Sequence, residues 1–286
     1  MFGTRHLRQL PPLVAALVLL CAPLSAQDFR GPFAAAVEGA ETQQPEHEPL
    51  ETDRDSFTPA TTVVGRGRTL FESSYSFLDN RTSPDSHSFP EILTRVGLND
   101  WLELRIGWNY ETGGGGSVSG TEVGGDEETP TRTTETRLLY GLKIALSEQD
   151  DWLPRTAVIV HATTPTSGPN TATQFVTGYV AGWTLPNDWQ LDGSFRYIAA
   201  NEEGDHFNQW APSIVVKVPF AEKWNAHAEY FGIFSQGQAS NISPQYFSPG
   251  VHYLITPDCE IGIRTGWGLN HDAAAFFSNI GLGLRF

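Results

Sequence analysis

The sequence predicts an all-β protein, a transmembrane antiparallel up-and-down β-barrel of about 12 strands. Three observations predict it. From Thr69 onward, apolar and polar residues alternate over segments of about ten residues, the period of strands with one apolar face. Where a segment carries two or more charges, they share one parity. Short turns alternate with long polar loops, and tryptophans stand at segment ends and not in their middles.

The chain begins with what reads as an export signal, residues 1–26. Arg5 and Arg8 form a basic start, Leu13–Leu20 is an apolar core too short to span a bilayer, and Leu24-Ser25-Ala26 offers a small-residue cleavage site. Pro11, Pro12 and Pro23 argue against a buried helix there, and Leu20 is too bulky to precede a lipidated Cys21. Loss of this segment leaves Cys259 alone, so no internal disulfide is expected. No later stretch approaches the ~18 apolar residues of a spanning helix.

Residues 27–66 are acidic and aperiodic, with 27–50 reading as flexible and 51–66 as a lead-in to the first strand. Asp53 and Arg54 in this lead-in are candidates for a plug folded into the barrel lumen. The barrel itself is expected over 67–286. With 18 Lys and Arg against 33 Asp and Glu, the formal charge is −15, which argues against nucleic acid as a partner.

The candidate strands are 69–78, 88–98, 101–110, 135–146, 155–163, 174–185, 189–198, 208–218, 224–234, 246–255, 259–269 and 275–286. Short turns fall at Asn99-Asp100, Pro186-Asn187-Asp188, Pro219–Glu222 and Thr256-Pro257-Asp258, with a moderate one at Ser147–Pro154. Polar loops at 79–87, 111–134, 164–173, 199–207, 235–245 and 270–274 separate the others. Barrels of the outer membrane keep short turns on the periplasmic side and long loops outside. An even strand count then puts both ends of the barrel on the short-turn side.

Parity assigns the two faces. In 101–110, Leu102, Leu104, Ile106, Trp108 and Tyr110 share one face and Glu103, Arg105, Gly107 and Asn109 the other. Lipid explains the sorting, because Arg or Lys at the bilayer midplane costs ~2–4 kcal/mol. A soluble sandwich would also alternate, but would not need uniform strand lengths or aromatic ends. The expected lumen-facing, pore-lining set is Glu72, Glu91, Arg95, Glu103, Arg105, Arg137, Lys143, Asp192, Arg196, Lys217, Glu229, Glu260, Arg264 and Arg285. These could set selectivity, or form a salt-bridge lattice that fills a narrow barrel and conducts nothing. Trp101, Trp152, Trp183, Trp189 and Trp224 are expected at the short-turn interface, and Trp108, Trp210 and Trp267 at the long-loop interface.

Chemistry beyond this is weakly signalled. Loop 111–134 gathers Gly113–Gly116 with Glu122, Asp126, Glu127 and Glu128, but matches neither a calcium loop nor a phosphate loop. His161, His227, His252, Ser167 and the Asp205-His206 pair show no nucleophile–base spacing, and no HExxH zinc motif occurs. Neither an enzyme, nor a metal, nor a cofactor is expected.

The final segment, Phe276 to Phe286, alternates to a terminal Phe and resembles the signal by which outer-membrane barrels meet their assembly machinery. Glu51-Thr52-Asp53-Arg54-Asp55-Ser56-Phe57-Thr58, then Thr61-Thr62-Val63-Val64 and Leu70-Phe71-Glu72, resemble the opening of the MetA-pathway of phenol degradation family of outer-membrane transporters. Pro90–Leu98 and Trp101–Arg105 are similar to its next hairpin, and Thr164-Pro165-Thr166-Ser167-Gly168 to its Pro-Thr-Gly loop. The resemblance runs from about Glu51 to the C-terminus and implies passage of aromatic or other hydrophobic small molecules. The expected function is therefore a porin-like channel or facilitator in the outer membrane of a Gram-negative-style envelope. Its partners would be outer-membrane lipid, the assembly machinery through Phe286, and a small-molecule solute. The alternative is a structural or adhesive barrel whose loops bind a surface ligand, with an outer-membrane hydrolase further behind.

Overall fold

A computed structural model describes residues 50–54, 56–116, 118, 131–202, 205–237 and 241–286. The expected signal peptide, residues 27–49, Asp55 and the loop carboxylates Glu122, Asp126, Glu127 and Glu128 lie outside the described residues.

The strands are β1 (Thr69–Asp79), β2 (Ser86–Asn99), β3 (Leu102–Gly113), β4 (Thr133–Ser147), β5 (Arg155–Ser167) and β6 (Gln174–Thr184). They continue as β7 (Gln190–Glu202), β8 (Asp205–Ala221), β9 (Trp224–Gly232, resumed at Phe234–Gln236), β10 (Gln245–Thr256), β11 (Cys259–Gly268) and β12 (Phe276–Arg285). Each pairs antiparallel with its neighbours in the chain, and β1 pairs with β12 from Leu70↔Arg285 to Asp79↔Phe276. The sheet thus closes into a 12-strand antiparallel barrel, the fold of outer-membrane barrels. Closure satisfies the backbone groups that an open edge would leave unpaired in lipid. Phe286 completes the seam, its N–H donating to Thr69 O at 2.8 Å and its carbonyl accepting from Thr69 N at 3.1 Å.

All twelve expected strands occur in order. Several run further on the long-loop side than alternation predicts: β5 reaches Ser167, and the β7–β8 ladder continues to Glu202↔Asp205. Apolar alternation stops where lipid stops, but backbone pairing needs no apolar face and carries the hairpins on. In β2 the ladder shifts register between Ser88 and Glu91, so the inward set changes from Ser86 and Ser88 to Glu91, Leu93 and Arg95.

Sidedness is inverted relative to a water-soluble protein. Ile106, Tyr140, Tyr179, Phe195, Ile214 and Ile263 are exposed on the outer wall, while arginines and glutamates are buried within. A continuous apolar exterior of this kind is stable only against lipid. The eight tryptophans lie on the outer face, none of them buried. At the short-turn end, Trp183 Nε1 donates to Trp152 O at 2.8 Å and Trp224 packs on Tyr253. At the long-loop end, Trp210 packs on Tyr197 and Trp267 on Phe276.

Candidate functional site in the barrel interior

Residues 50–65 precede β1 and turn into the barrel from the short-turn side. At its base, Leu50 and Val64 pack with Leu70 and Leu254. Between them Thr52, Asp53, Arg54, Ser56, Phe57, Thr58, Ala60 and Thr61 are buried. The wall makes room with glycine: a Cβ on Gly97 would meet the carbonyl oxygens of Val64 and Gly65, one on Gly283 would meet Thr52, and one on Gly182 would meet the Asp192 carboxylate first and then Thr61.

A segment without a strand partner must satisfy its backbone elsewhere, and wall carboxylates do much of this. Glu72 Oε2 accepts from Asp53 N at 2.7 Å and Arg54 N at 2.9 Å. Glu103 Oε2 accepts from Val64 N at 2.9 Å. Glu229 accepts from Phe57 N at 2.9 Å, Thr58 N at 2.6 Å and Thr58 Oγ1 at 2.7 Å. Wall arginines take the carbonyls, Arg95 donating to Glu51 O at 2.9 Å and Thr62 O at 3.1 Å, and Arg196 to Phe57 O at 2.8 Å.

Charge compensation centres on Asp53. Arg105 Nη1 lies 2.6 Å from Asp53 Oδ2, and Arg95 Nη1 and Lys143 Nζ lie 3.4 and 3.8 Å from Oδ1. Asp53 Oδ1 also accepts from Ala60 N at 2.9 Å, closing the turn of the segment on itself. Burial alone would raise the Asp53 carboxyl, but the charges of Arg95, Lys143 and Arg105 hold it well below the usual carboxylate range. Glu51 is lowered by the same contest, burial opposing and Lys217 foremost among the charges that prevail.

The structure brings Glu72, Glu91, Arg95, Glu103, Arg105 and Lys143 into one network with Asp53 and Arg54, Arg54 reaching Glu91 at 3.5 Å. A second group joins Glu229 to Arg264 at 3.3 Å, with Arg196 beside it over Phe57. Asp192 and Lys217 pair at 3.7 Å close to Gln190, which donates to Glu51. Glu260 accepts from Thr52 and lies 3.9 Å from His252, itself bonded to His227 at 2.6 Å. Two members stand apart. Arg137 pairs with Glu135 at 2.6 Å toward the long loops. Arg285 sits at the short-turn rim, where its place at the end of β12 brings it to Asp258 at 2.8 Å, so it is not part of the inner network.

Sequence reasoning missed Glu51, Phe57 and Thr58, and the apolar layer above the charges. There Phe57 stacks on Phe231, and Phe231 on Tyr246, with Phe277 alongside. Val118 reaches this layer from the long loop, its carbonyl accepting from Arg264 at 2.6 Å. The inward parity of Phe231, Tyr246 and Phe277 was the available signal. Arg95, Arg105, Lys143, Arg196 and Arg264 are each less than 2 % exposed, so these side chains do not face solvent in this conformation.

The sequence model of the family described as "Putative MetA-pathway of phenol degradation" matches residues 52–286. Among solved structures, the chain is similar to the COG4313 outer membrane channel from Pseudomonas putida F1, at 12% identity and a TM-score of 0.56, over 79% of this chain and 98% of that one. It also matches the NanC porin (11% identity, TM-score 0.49, 76% and 100% of the chains). A further match is the translocator domain of the autotransporter NalP from Neisseria meningitidis (9%, 0.48, 78% and 90%). A search of curated proteins finds no match.

Proposed function

Because this chain belongs to the MetA-pathway of phenol degradation family, we propose that it is a passive outer-membrane channel for small aromatic solutes, closed in the conformation described by residues 50–65 acting as a plug. The observation that carries the reading is how that segment is held. Its backbone is bonded to wall carboxylates and guanidinium groups and takes no part in a strand ladder. Most of the hydrogen-bonding wall groups that would lose a partner on its departure are ionic, and the others, such as Gln190 and Ser213, are polar, so they can be hydrated while the closed ladder of the barrel remains intact.

Within this reading the buried charges line the open path and the inward aromatics above them favour flat apolar solutes over ions. Outer-membrane lipid would meet the apolar wall, and the Phe286 strand would meet the assembly machinery. No catalytic step and no cofactor enter the proposal.

The test is planar-bilayer recording of the full mature chain beside a variant lacking residues 51–60. Both are first shown to be folded by a gel mobility that changes on boiling. The variant should give stable conductance steps and the full chain brief or rare ones. A folded variant that conducts nothing would mean a sealed barrel and favour the structural or adhesive alternative.

A further inference from the structure

Phe57 occupies an environment built for a ring. Its phenyl stacks on Phe231 with centroids 4.1 Å apart and planes inclined by 13°. The Arg196 guanidinium lies over the same ring, Cζ 4.1 Å from the centroid. Two groups of that size can approach so closely only from opposite faces, so the ring is sandwiched between a phenyl and a cation. Both contacts are specific to a π-system.

Polar groups around the ring complete the recognition. Arg196 Nη2 donates to Phe57 O at 2.8 Å, and Glu229 accepts the Phe57 and Thr58 N–H groups together with the Thr58 hydroxyl. Among the described residues of the plug, Phe57 and Thr58 fill this place; Phe231, Arg196 and Glu229 belong to the wall. With the plug withdrawn, the wall would offer a ring face, a donor seeking an acceptor, and a carboxylate seeking a hydroxyl donor.

We propose that these wall residues form a binding site for a small hydroxylated aromatic acid, and that Phe57 is a built-in surrogate for that ligand, so that solute and plug compete for one place. The ligand's ring takes the slot between Phe231 and Arg196, its carboxylate faces Arg196 in place of the Phe57 carbonyl, and its hydroxyl donates to Glu229 in place of Thr58. The solute then promotes its own passage, because binding disfavours the docked plug. This inference rests on residues 50–65 being a removable plug. A ligand shifts such an equilibrium only through different affinity for the two states, and sharing one site makes that difference as large as it can be.

The probe is 4-hydroxybenzoate, with cis-4-hydroxycyclohexanecarboxylate as a control that keeps both polar groups and lacks the π-face. Calorimetric titrations use the full mature chain in detergent, as wild type, F57L and F231L, each shown to be folded by gel migration. Leucine preserves apolar bulk while removing the ring. Relieved of its ring competitor, F57L should bind 4-hydroxybenzoate about tenfold more tightly than wild type, as expected for one stacked pair plus one cation–π contact. F231L should bind it more weakly than F57L. In the wild type, saturating 4-hydroxybenzoate should accelerate hydrogen exchange in the peptide carrying Phe57 and Thr58, and the saturated-ring control should not. Equal affinity in wild type and F57L, no binding to F57L, or an equal response to the control would each overturn the site. The two readings fail separately: conductance on deleting 51–60 without any ligand response sinks the site alone, whereas ligand binding in a barrel that never conducts sinks the transport reading.

Discussion

Replacing Asp53 by Asn tests what holds the plug in place. The amide keeps the side chain's shape and can still accept from Ala60 N, but the negative charge facing Arg105 at 2.6 Å, Arg95 at 3.4 Å and Lys143 at 3.8 Å is gone. Arg95 retains Glu103, and Arg105 retains a contact with Glu103 at 2.9 Å. Lys143 keeps no ion pair other than that with Asp53 among those resolved for the described residues. Removing one partner of a buried ion pair costs about 3–5 kcal/mol, because the other charge stays desolvated. Here that cost falls on the docked state alone, since undocking lets water reach all three cations. At 1.4 kcal/mol per decade, the equilibrium between docked and undocked plug should move toward undocked by roughly a hundredfold to a few thousandfold. Single-channel recording reads this as open probability, on protein whose gel migration shows the barrel folded. Adding Lys143→Met should restore part of the closure by removing the stranded charge. A folded Asp53→Asn barrel whose open probability stays within about tenfold of wild type would refute the electrostatic account of docking.

Three further outcomes follow from the same geometry. The Asp53 carboxyl is depressed in the docked state, so its contribution is fully present above its ordinary value of 3.8 and is lost as pH falls below that value; Glu51, lowered from 4.5, acts in the same direction. The difference in open probability between wild type and Asp53→Asn should therefore shrink as pH falls below the ordinary carboxylate range; a difference that persists undiminished in stronger acid contradicts the assignment. Ile106→Arg puts a cation on the lipid-facing wall of β3 and should cost ~2–4 kcal/mol in urea unfolding from lipid vesicles if that position sits near the midplane. Gly97→Ala drives a methyl group into the carbonyls of Val64 and Gly65, so it should speed hydrogen exchange at Val64 and raise open probability while the barrel still folds; an unchanged exchange rate would show that the contact yields freely.

The barrel was legible in the sequence because lipid imposes a rule on every residue of a strand. Glu103, Arg105, Ile106 and Trp108 each declare a side by chemistry alone, and the same rule repeats through twelve strands. The β2 shift at Ser88–Glu91 escaped, because serines carry no penalty on either face and so do not report parity. The lead-in was less legible for a different reason. It has no period, and its partners Glu72, Glu103 and Glu229 lie on strands far apart in the chain; Phe57 and Glu229 are 172 residues apart. Asp53 and Arg54 attracted notice as charges. Phe57, the ring between Phe231 and Arg196, looked like any aromatic in an acidic linker, since a ring's role depends on what faces it and not on its neighbours in sequence. Inward glycines were the better clue. Gly97 and Gly283 mark where the wall gives up side-chain volume, and such a hollow in a close-packed interior implies something that fills it.

Those hollows bear on how one interior can serve two states. Wall and plug are held by interactions of different kinds. The wall is a closed backbone ladder, whose opening would expose unpaired amides to lipid, so it resists any change. The plug is attached by carboxylates and guanidinium groups, several of which also pair within the wall, as Arg95 does with Glu103 and Arg264 with Glu229. These wall–wall pairs do not depend on residues 50–65. When the segment leaves, its carboxylate partners keep much of their compensation and gain water, so undocking need not strand a bare charge on the wall. An apolar plug in an apolar lumen would have no such exchange available and would leave a dry cavity. The abundance of buried charge is thus a condition for reversible closure. Substituting Glu229 and Arg264 together by Leu and Met removes the acceptor of the Phe57 and Thr58 N–H groups, which the docked segment would then bury without it, so the double variant with its barrel intact should open more often than wild type; fewer openings would show that the hydration of the open wall outweighs the Glu229 bonds.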